Sequence, residues 1–258
     1  METITSTQNP KIKEIIKLRK ANKRKKEDLI VIEGQKEVSL ALEAGIVIDN
    51  LYFSEELAKD KKLAGIDKEK IINVEKNVFE KISLRDNPDG FLVLARAKYL
   101  ELEKIKLSKN PLVVILESVE KPGNLGAILR TADATQVDAV IITDSRTDIY
   151  NPNVIRASLG TVFTNNIVIC DTEECLAWLK KNKIKSLATT PDAKKIYTDI
   201  DYTSPSAIVI GTEHDGLSDK WLDAVDQKIK ISMKGKIDSL NASVSTAVVL
   251  FEIVRQRK

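Results

Sequence analysis

The stretch LVVILESVEKPGNLGAILRTADA, residues 112–134, decides how the chain is read. Leu112–Leu116 is a short continuous apolar run with no polar face, the pattern of a strand covered on both sides. Pro122-Gly123 then punctuates a turn, and from Asn124 the residues take up a helical pattern. A glycine-bearing turn that feeds a helix N-terminus, with Arg130 about two turns in, suits an anionic group. Strand, turn and helix in this order predict a parallel α/β sheet.

Working outward, similar apolar runs recur at Ala139–Ile142, Ile167–Cys170, Ile184–Ala188 and Ala207–Ile210, separated by helical patterns. A last candidate strand, Lys228–Met233, alternates Ile229, Ile231 and Met233 with polar residues. The closing helix places Leu240, Val244, Ala247, Val248, Phe251 and Val254 on one face. Upstream, an amphipathic basic helix carrying Ile12, Ile15, Ile16 and Leu18 leads into strand-like runs at Leu29–Ile32, Leu51–Phe53, Ile71–Val74 and Phe91–Ala95. Helices are predicted at Glu37–Ala44 and near Asn77–Ser83. The expected organisation is a small α/β domain over residues 1–97, a charged linker over 98–110 and a second domain over 111–258.

Composition narrows the classes. With 43% hydrophobic and 31% charged residues, the chain can bury a core. No apolar run approaches the roughly 18 residues of a membrane-spanning helix, and the start is polar, so a cytoplasmic protein is expected. Cys170 and Cys175 read as buried thiols, no His/Cys spacing fits zinc, and no metal is expected. The single histidine, His214, has no nucleophile beside it in sequence, which argues against triad chemistry. Net charge is only +3, yet Lys11, Lys13, Lys17, Arg19, Lys20, Lys23, Arg24, Lys25 and Lys26 face one acid, Glu14, between residues 10 and 26. Such a run is either a solvated helix face or a surface for RNA phosphates.

Ligands of open α/β sheets bind beyond the carboxyl ends of strands, which directs attention to three loops. The first is residues 117–130. The second, Gly211-Thr-Glu-His-Asp-Gly-Leu-Ser218, imitates the spacing of a phosphate loop but has Leu217 where that motif requires lysine, so an ATPase is excluded. The third, residues 234–241, includes Ser239, a candidate cap for the closing helix. Taken singly, each loop also reads as turn glycines and caps; the three in order, each after a strand, form a constellation.

Together they resemble the three motifs of the SpoU/TrmH family of RNA ribose methyltransferases, in the SPOUT superfamily. The first motif corresponds to Asn124-Leu-Gly-Ala-Ile-Leu-Arg130-Thr-Ala-Asp133, the second to Gly211-Thr-Glu213 with Gly216-Leu-Ser218, and the third to Ile231-Ser-Met-Lys-Gly235 with Ser239-Leu-Asn241. Arg156-Ala-Ser-Leu-Gly160 continues the likeness, and Val31-Ile-Glu-Gly34 and Pro88-Asp-Gly90 resemble the family's ribosomal-protein-like substrate-binding domain. Thr212, Lys121, Gln136, Asp89 and Ala242 depart from the residues frequent at those positions.

The resemblance implies an α/β fold whose carboxyl-terminal segment threads a deep trefoil knot, an exception to unknotted connectivity. It also implies a homodimer, S-adenosylmethionine as methyl donor, and a ribose 2'-hydroxyl of structured RNA as acceptor, ribosomal rather than transfer RNA. It assigns Arg130, Asn124, Glu213, Ser239 and Asn241 to catalysis, and Gly211, Ile231, Leu240 and Thr189 to the donor. The competing readings are an inactive RNA-binding protein of this fold and a dinucleotide oxidoreductase; against the latter, no Gly-x-Gly-x-x-Gly follows a candidate strand.

Overall fold

The computed structural model describes residues 2–59 and 63–258. The chain divides into two compact units, Met1–Lys98 with Asp148–Thr164, and Tyr99–Thr147 with Asn165–Lys258.

In the first unit, strands β1 (Glu2–Ile4), β2 (Leu29–Glu33), β3 (Ile48–Phe53), β4 (Ile71–Val74) and β5 (Phe91–Arg96) form a sheet in the order β1-β4-β3-β5-β2. β1, β4 and β3 run parallel, and β5 is antiparallel to both its neighbours. β1 was not anticipated, because three residues are too few to display a period. Helices α1 (Pro10–Lys17) and α5 (Lys76–Ile82) cover one face: Ile12, Ile15 and Leu18 enter a core with Val78, Phe79 and Ile82. Between them in sequence lie α2 (Ala21–Glu27), α3 (Gln35–Glu43) and α4 (Glu55–Ala58). The two motif fragments of this unit meet at the start of α3, where the Gln35 amide donates to Asp89 Oδ2 at 2.8 Å and the Gly34 amide to the Phe91 carbonyl at 2.9 Å.

The basic run between residues 10 and 26 spans two helices, α1 and α2, and one of its cations turns inward. Arg24 Nε and Nη2 donate to Asp148 Oδ2 at 2.8 and 2.6 Å, while Nη1 donates to the Leu18 and Arg19 carbonyls at 2.7 and 2.8 Å. A buried guanidinium needs acceptors for its N–H groups, and the carbonyls exposed where α1 ends supply two of them. The same ion pair ties residues 148–164, including α7 (Pro152–Ala157), to this unit, although the sequence reading had placed them in the second domain.

The second unit is built on seven parallel strands: β6 (Leu112–Glu117), β7 (Ala139–Thr143), β8 (Ile167–Cys170), β9 (Lys185–Thr189), β10 (Lys195–Ile196), β11 (Ser206–Ile210) and β12 (Gln227–Lys230), in the order β10-β12-β9-β11-β6-β7-β8. β6 lies centrally, with Val114 opposite Ile208 of β11 and Val140 of β7. The expected parallel α/β architecture is therefore present. Helices α6 (Pro122–Ala134), α8 (Thr172–Lys181), α9 (Asp219–Ala224) and α10 (Ala242–Gln256) flank the sheet. Cys175, Trp178 and Trp221 pack into its core with Val113 and Val209. The expected linker is partly core: Leu102 is buried with these residues, and Leu100 bridges to Val168.

Two expectations near the carboxyl terminus need correction. The last strand stops at Lys230, so Ile231 and Met233 belong to a loop. In α10 the buried residues are Thr246, Val249, Leu250 and Ile253. The apolar face singled out from the sequence lies elsewhere on the helix: Val244 is 46% and Phe251 55% exposed. Thr246 can occupy the core because its hydroxyl donates to the Ala242 carbonyl at 2.7 Å, one turn back.

Candidate active site

The chains leaving the carboxyl ends of β9, β11 and β12 surround a cavity of about 350 Å³. Thr189, Gly211, Ile231 and Leu240 all line it, as do Glu213, Met233 and Ser239. The loop after β11 folds tightly because Gly211 lacks a side chain: a Cβ there would stand 2.1 Å from the Gly216 carbonyl oxygen. The Thr212 amide donates to that carbonyl at 3.0 Å, and the Thr212 hydroxyl accepts from the Asp215 amide at 2.9 Å. Leu217 drops into the core, while Ser218 donates from its amide and hydroxyl to the Glu117 carboxylate at 2.8 and 2.6 Å. His214 is exposed and pairs with Asp215.

Buried polar groups are normally hydrogen-bonded, and an exception calls for a physical reason. Thr189, at the end of β9, is one of the cavity's lining residues, and its Oγ1 is buried with no hydrogen-bond partner.

Beside the cavity, two motif residues converge on the carboxylate of a third, Glu213. Asn124, in the first turn of α6, donates through Nδ2 to Glu213 Oε1 at 2.8 Å. Asn241 Nδ2 donates to the same oxygen and to Asn124 Oδ1 at 3.1 Å. Asn241 Oδ1 caps α10 by accepting from the Ser243 amide at 2.9 Å and the Ser243 hydroxyl at 2.6 Å. The helix cap is thus Asn241, and Ser239 remains exposed at the cavity wall. Lys121 completes the group by an ion pair with Glu213 Oε2. Hydrogen bonds from Lys121 first, then Asn124, together with the Lys121 charge and the Ala242 amide, hold the Glu213 carboxyl below the usual glutamate range against an opposing desolvation. In the sequence Lys121 stands out only as a departure from the residue frequent there, and its one local signal is its place immediately before the helix-opening Pro122.

Arg130 is not part of this cluster. It is exposed on α6 and, among the described residues, has no hydrogen bond or ion pair. Six residues beyond Asn124, it stands roughly 9 Å further along the axis and about 120° away around it.

In the first unit the nine basic candidates separate by environment. Lys13, Lys17, Lys20, Lys25 and Lys26 are exposed and Lys23 is half-buried. Lys11 pairs with Glu2, and Arg19 Nη2 caps the end of α5 by donating to the Lys81, Ile82 and Ser83 carbonyls at 2.9, 3.2 and 3.1 Å. Arg24 is buried and is withdrawn from any RNA surface.

The model of the SpoU rRNA Methylase family matches residues 111–251. The chain belongs to this family. An MRM3-like substrate binding domain matches residues 9–93 of this SpoU family member. Among its relatives is the 23S rRNA (guanosine(2553)-2'-O)-methyltransferase RlmP of Bacillus subtilis, 28% identical over 98% of this chain and 99% of the other. A crystal structure of an RNA 2'-O ribose methyltransferase superposes with a TM-score of 0.84 at 38% identity, covering 99% of each chain. A rRNA methyltransferase from Sinorhizobium meliloti, solved with AdoMet bound, gives 0.88 at 30% identity over 98% of this chain and 97% of that one. Among the described residues, no group of three or more His, Cys, Asp or Glu is placed to hold a metal ion. No helix among them is long and apolar enough to cross a membrane.

Proposed function

We propose that the chain transfers a methyl group from S-adenosylmethionine to a ribose 2'-hydroxyl of structured RNA, ribosomal rather than transfer RNA. The observation that carries this reading is the cavity at the carboxyl ends of β9, β11 and β12, lined by Thr189, Gly211, Ile231 and Leu240 and bordered by the Glu213 cluster. The cavity volume, about 350 Å³, lies within the ordinary range for small-molecule sites, roughly 300–1,000 Å³. Thr189 and the backbone at Gly211, Ile231 and Leu240 hold the donor. The preference for ribosomal RNA rests on the activity named for RlmP. When bound, S-adenosylmethionine supplies a methyl group on a positively charged sulfur.

The chain's own residues align the acceptor and manage charge. Asn124, Ser239 and Asn241 position the ribose and the loops. Glu213, already accepting from Lys121, Asn124 and Asn241 and shifted toward its ionised form, is a weak base and acts as the clamp joining α6, the β11 loop and α10. A guanidinium carries hydrogen-bond donors and no acceptor, so Arg130 works through its charge and its N–H groups rather than by taking a proton. Its role is to hold an RNA phosphate and stabilise charge growing on the 2'-oxygen, with the phosphate assisting proton removal.

The working form is a cytoplasmic homodimer. The exposed apolar stripe of α10 supports this, as does the separation of Arg130 from the Glu213 cluster on α6, which lets a partner subunit complete the site. The trefoil threading implied by the family belongs to the same proposal, and a crystal structure tracing an unthreaded terminus would remove it. One experiment tests the catalytic assignment and the dimer together. Arg130→Ala and Asn241→Ala proteins should each be inactive while Arg130→Ala retains donor affinity. Unfolded and refolded as an equal mixture, they should recover about a quarter of the wild-type active sites. Activity in Arg130→Ala alone, or no recovery in the mixture, refutes the shared site.

A further inference from the structure

Lys121 has no part in the cavity wall, yet its side chain is 69% exposed at the edge of the Glu213 cluster. The Glu213 carboxylate keeps other donors without it, because Asn124 Nδ2, Asn241 Nδ2 and the Ala242 amide remain when the ammonium leaves. Exposed ion pairs of this kind are weak and exchange readily. The neighbouring acid, Glu120, is engaged by Arg146 at 2.5 Å and does not compete for the lysine. Lys121 also immediately precedes the thirteen-residue helix α6, whose N-terminal dipole reinforces positive potential there. Beside it, Gly123 is exposed, and a Cβ there would meet nothing within 4 Å, so an anion can approach.

We propose that Lys121 is an exchangeable phosphate ligand, held by Glu213 until RNA docks and then transferred to a backbone phosphate near the target nucleotide. Glu213 stands in for that phosphate in the free protein. The ammonium carries one mobile charge that either anion can take, and its release leaves the donor-side clamp intact. This inference rests on the RNA reading given above and adds a residue which that reading does not require.

The test compares full-length wild type, Lys121→Gln and Lys121→Arg for binding to an unmodified 23S rRNA transcript between about 50 and 200 mM salt. A phosphate contact by Lys121 predicts that Lys121→Gln lowers the slope of log affinity against log salt by about 0.7–0.9. Affinity should fall about tenfold at the lower salt, and Lys121→Arg should retain both slope and affinity. Calorimetric affinity for S-adenosylmethionine should stay within about twofold in both variants, because Asn124, Asn241 and Ala242 still hold Glu213. An unchanged salt slope in Lys121→Gln overturns the proposal, and an unchanged slope with weakened donor affinity reassigns Lys121 as a clamp for Glu213. If wild type itself shows no salt-dependent RNA binding, the RNA reading falls first, and this inference with it.

Discussion

Arg24 and Asp148 meet in the interior of the first unit, with side chains 3% and 24% exposed, whereas Lys121 and Glu213 meet at the surface of the second, at 69% and 25%. Both are pairs of a cation and a carboxylate brought together from distant parts of the sequence. In the first, the buried guanidinium is engaged by one carboxylate and two carbonyls and has no solvent to turn to, so it cannot leave its place, although Asp148 also accepts from the Tyr150 amide. In the second, the carboxylate has spare donors and the cation has solvent, so the pair can open. The contrast teaches that an ion pair is a fastener or a switch according to how many alternative partners each member keeps.

The largest expected effect tests the fastener. Arg24→Ala should destabilise the protein by about 3–5 kcal/mol in denaturant unfolding, because it removes the cation beside Asp148 and strands the Leu18 and Arg19 carbonyls. Arg24→Lys should not restore stability, since an ammonium cannot reproduce the planar fork of contacts. A loss below about 1 kcal/mol would place this pair in the same class as an exposed one.

Next comes the carboxylate of the switch. Glu213→Ala removes the common acceptor of Asn124 and Asn241, and donor affinity should weaken about tenfold by calorimetry. Glu213 also sets a pH dependence. Its folded pKa is depressed, so its contribution is present above the ordinary glutamate value near 4.3 and is lost as pH falls through the lower folded value. Donor affinity of wild type should therefore drop in that acidic window, and the Glu213→Gln variant should lack this component. Identical acid profiles for the two proteins would show that the carboxylate charge is not what fastens the loops.

The smallest effect sharpens the comparison from the cavity side. Thr189→Val deletes a hydroxyl that is buried without a partner, so stability measured without donor should hold or rise while donor affinity falls a few-fold. If stability drops instead, the hydroxyl has a structural partner in solution.

Much of this site was legible because its residues sit at turns that only certain sequences make. Gly211, Asn124 and Asn241 stand at strand ends and helix starts, where local chemistry dictates their identity, and the cluster then follows from topology. The seven strands of the second unit were nearly all visible because strands covered on both faces read as continuous apolar runs. What stayed hidden was orientation. Arg24 lies in a run of cations and carries no local mark of turning inward, since its carboxylate is 124 residues away. In α10 the apolar stripe drew attention to the wrong face, because the buried face contains Thr246, whose polarity is cancelled by its own helix. Residues 148–164 left the second unit for a similar reason: Asp148 looks like any loop aspartate until Arg24 is placed.

The fate of Leu217 and Ser218 bears on what this loop could ever become. In a nucleotide-triphosphate cradle of the same spacing, those two positions carry the lysine and hydroxyl that face phosphates and magnesium. Here one is wedged into the hydrophobic interior and the other is committed to Glu117. A lysine introduced at 217 would have to carry its charge into oil, so the route from this architecture to ATP hydrolysis is closed by packing, however small the sequence distance.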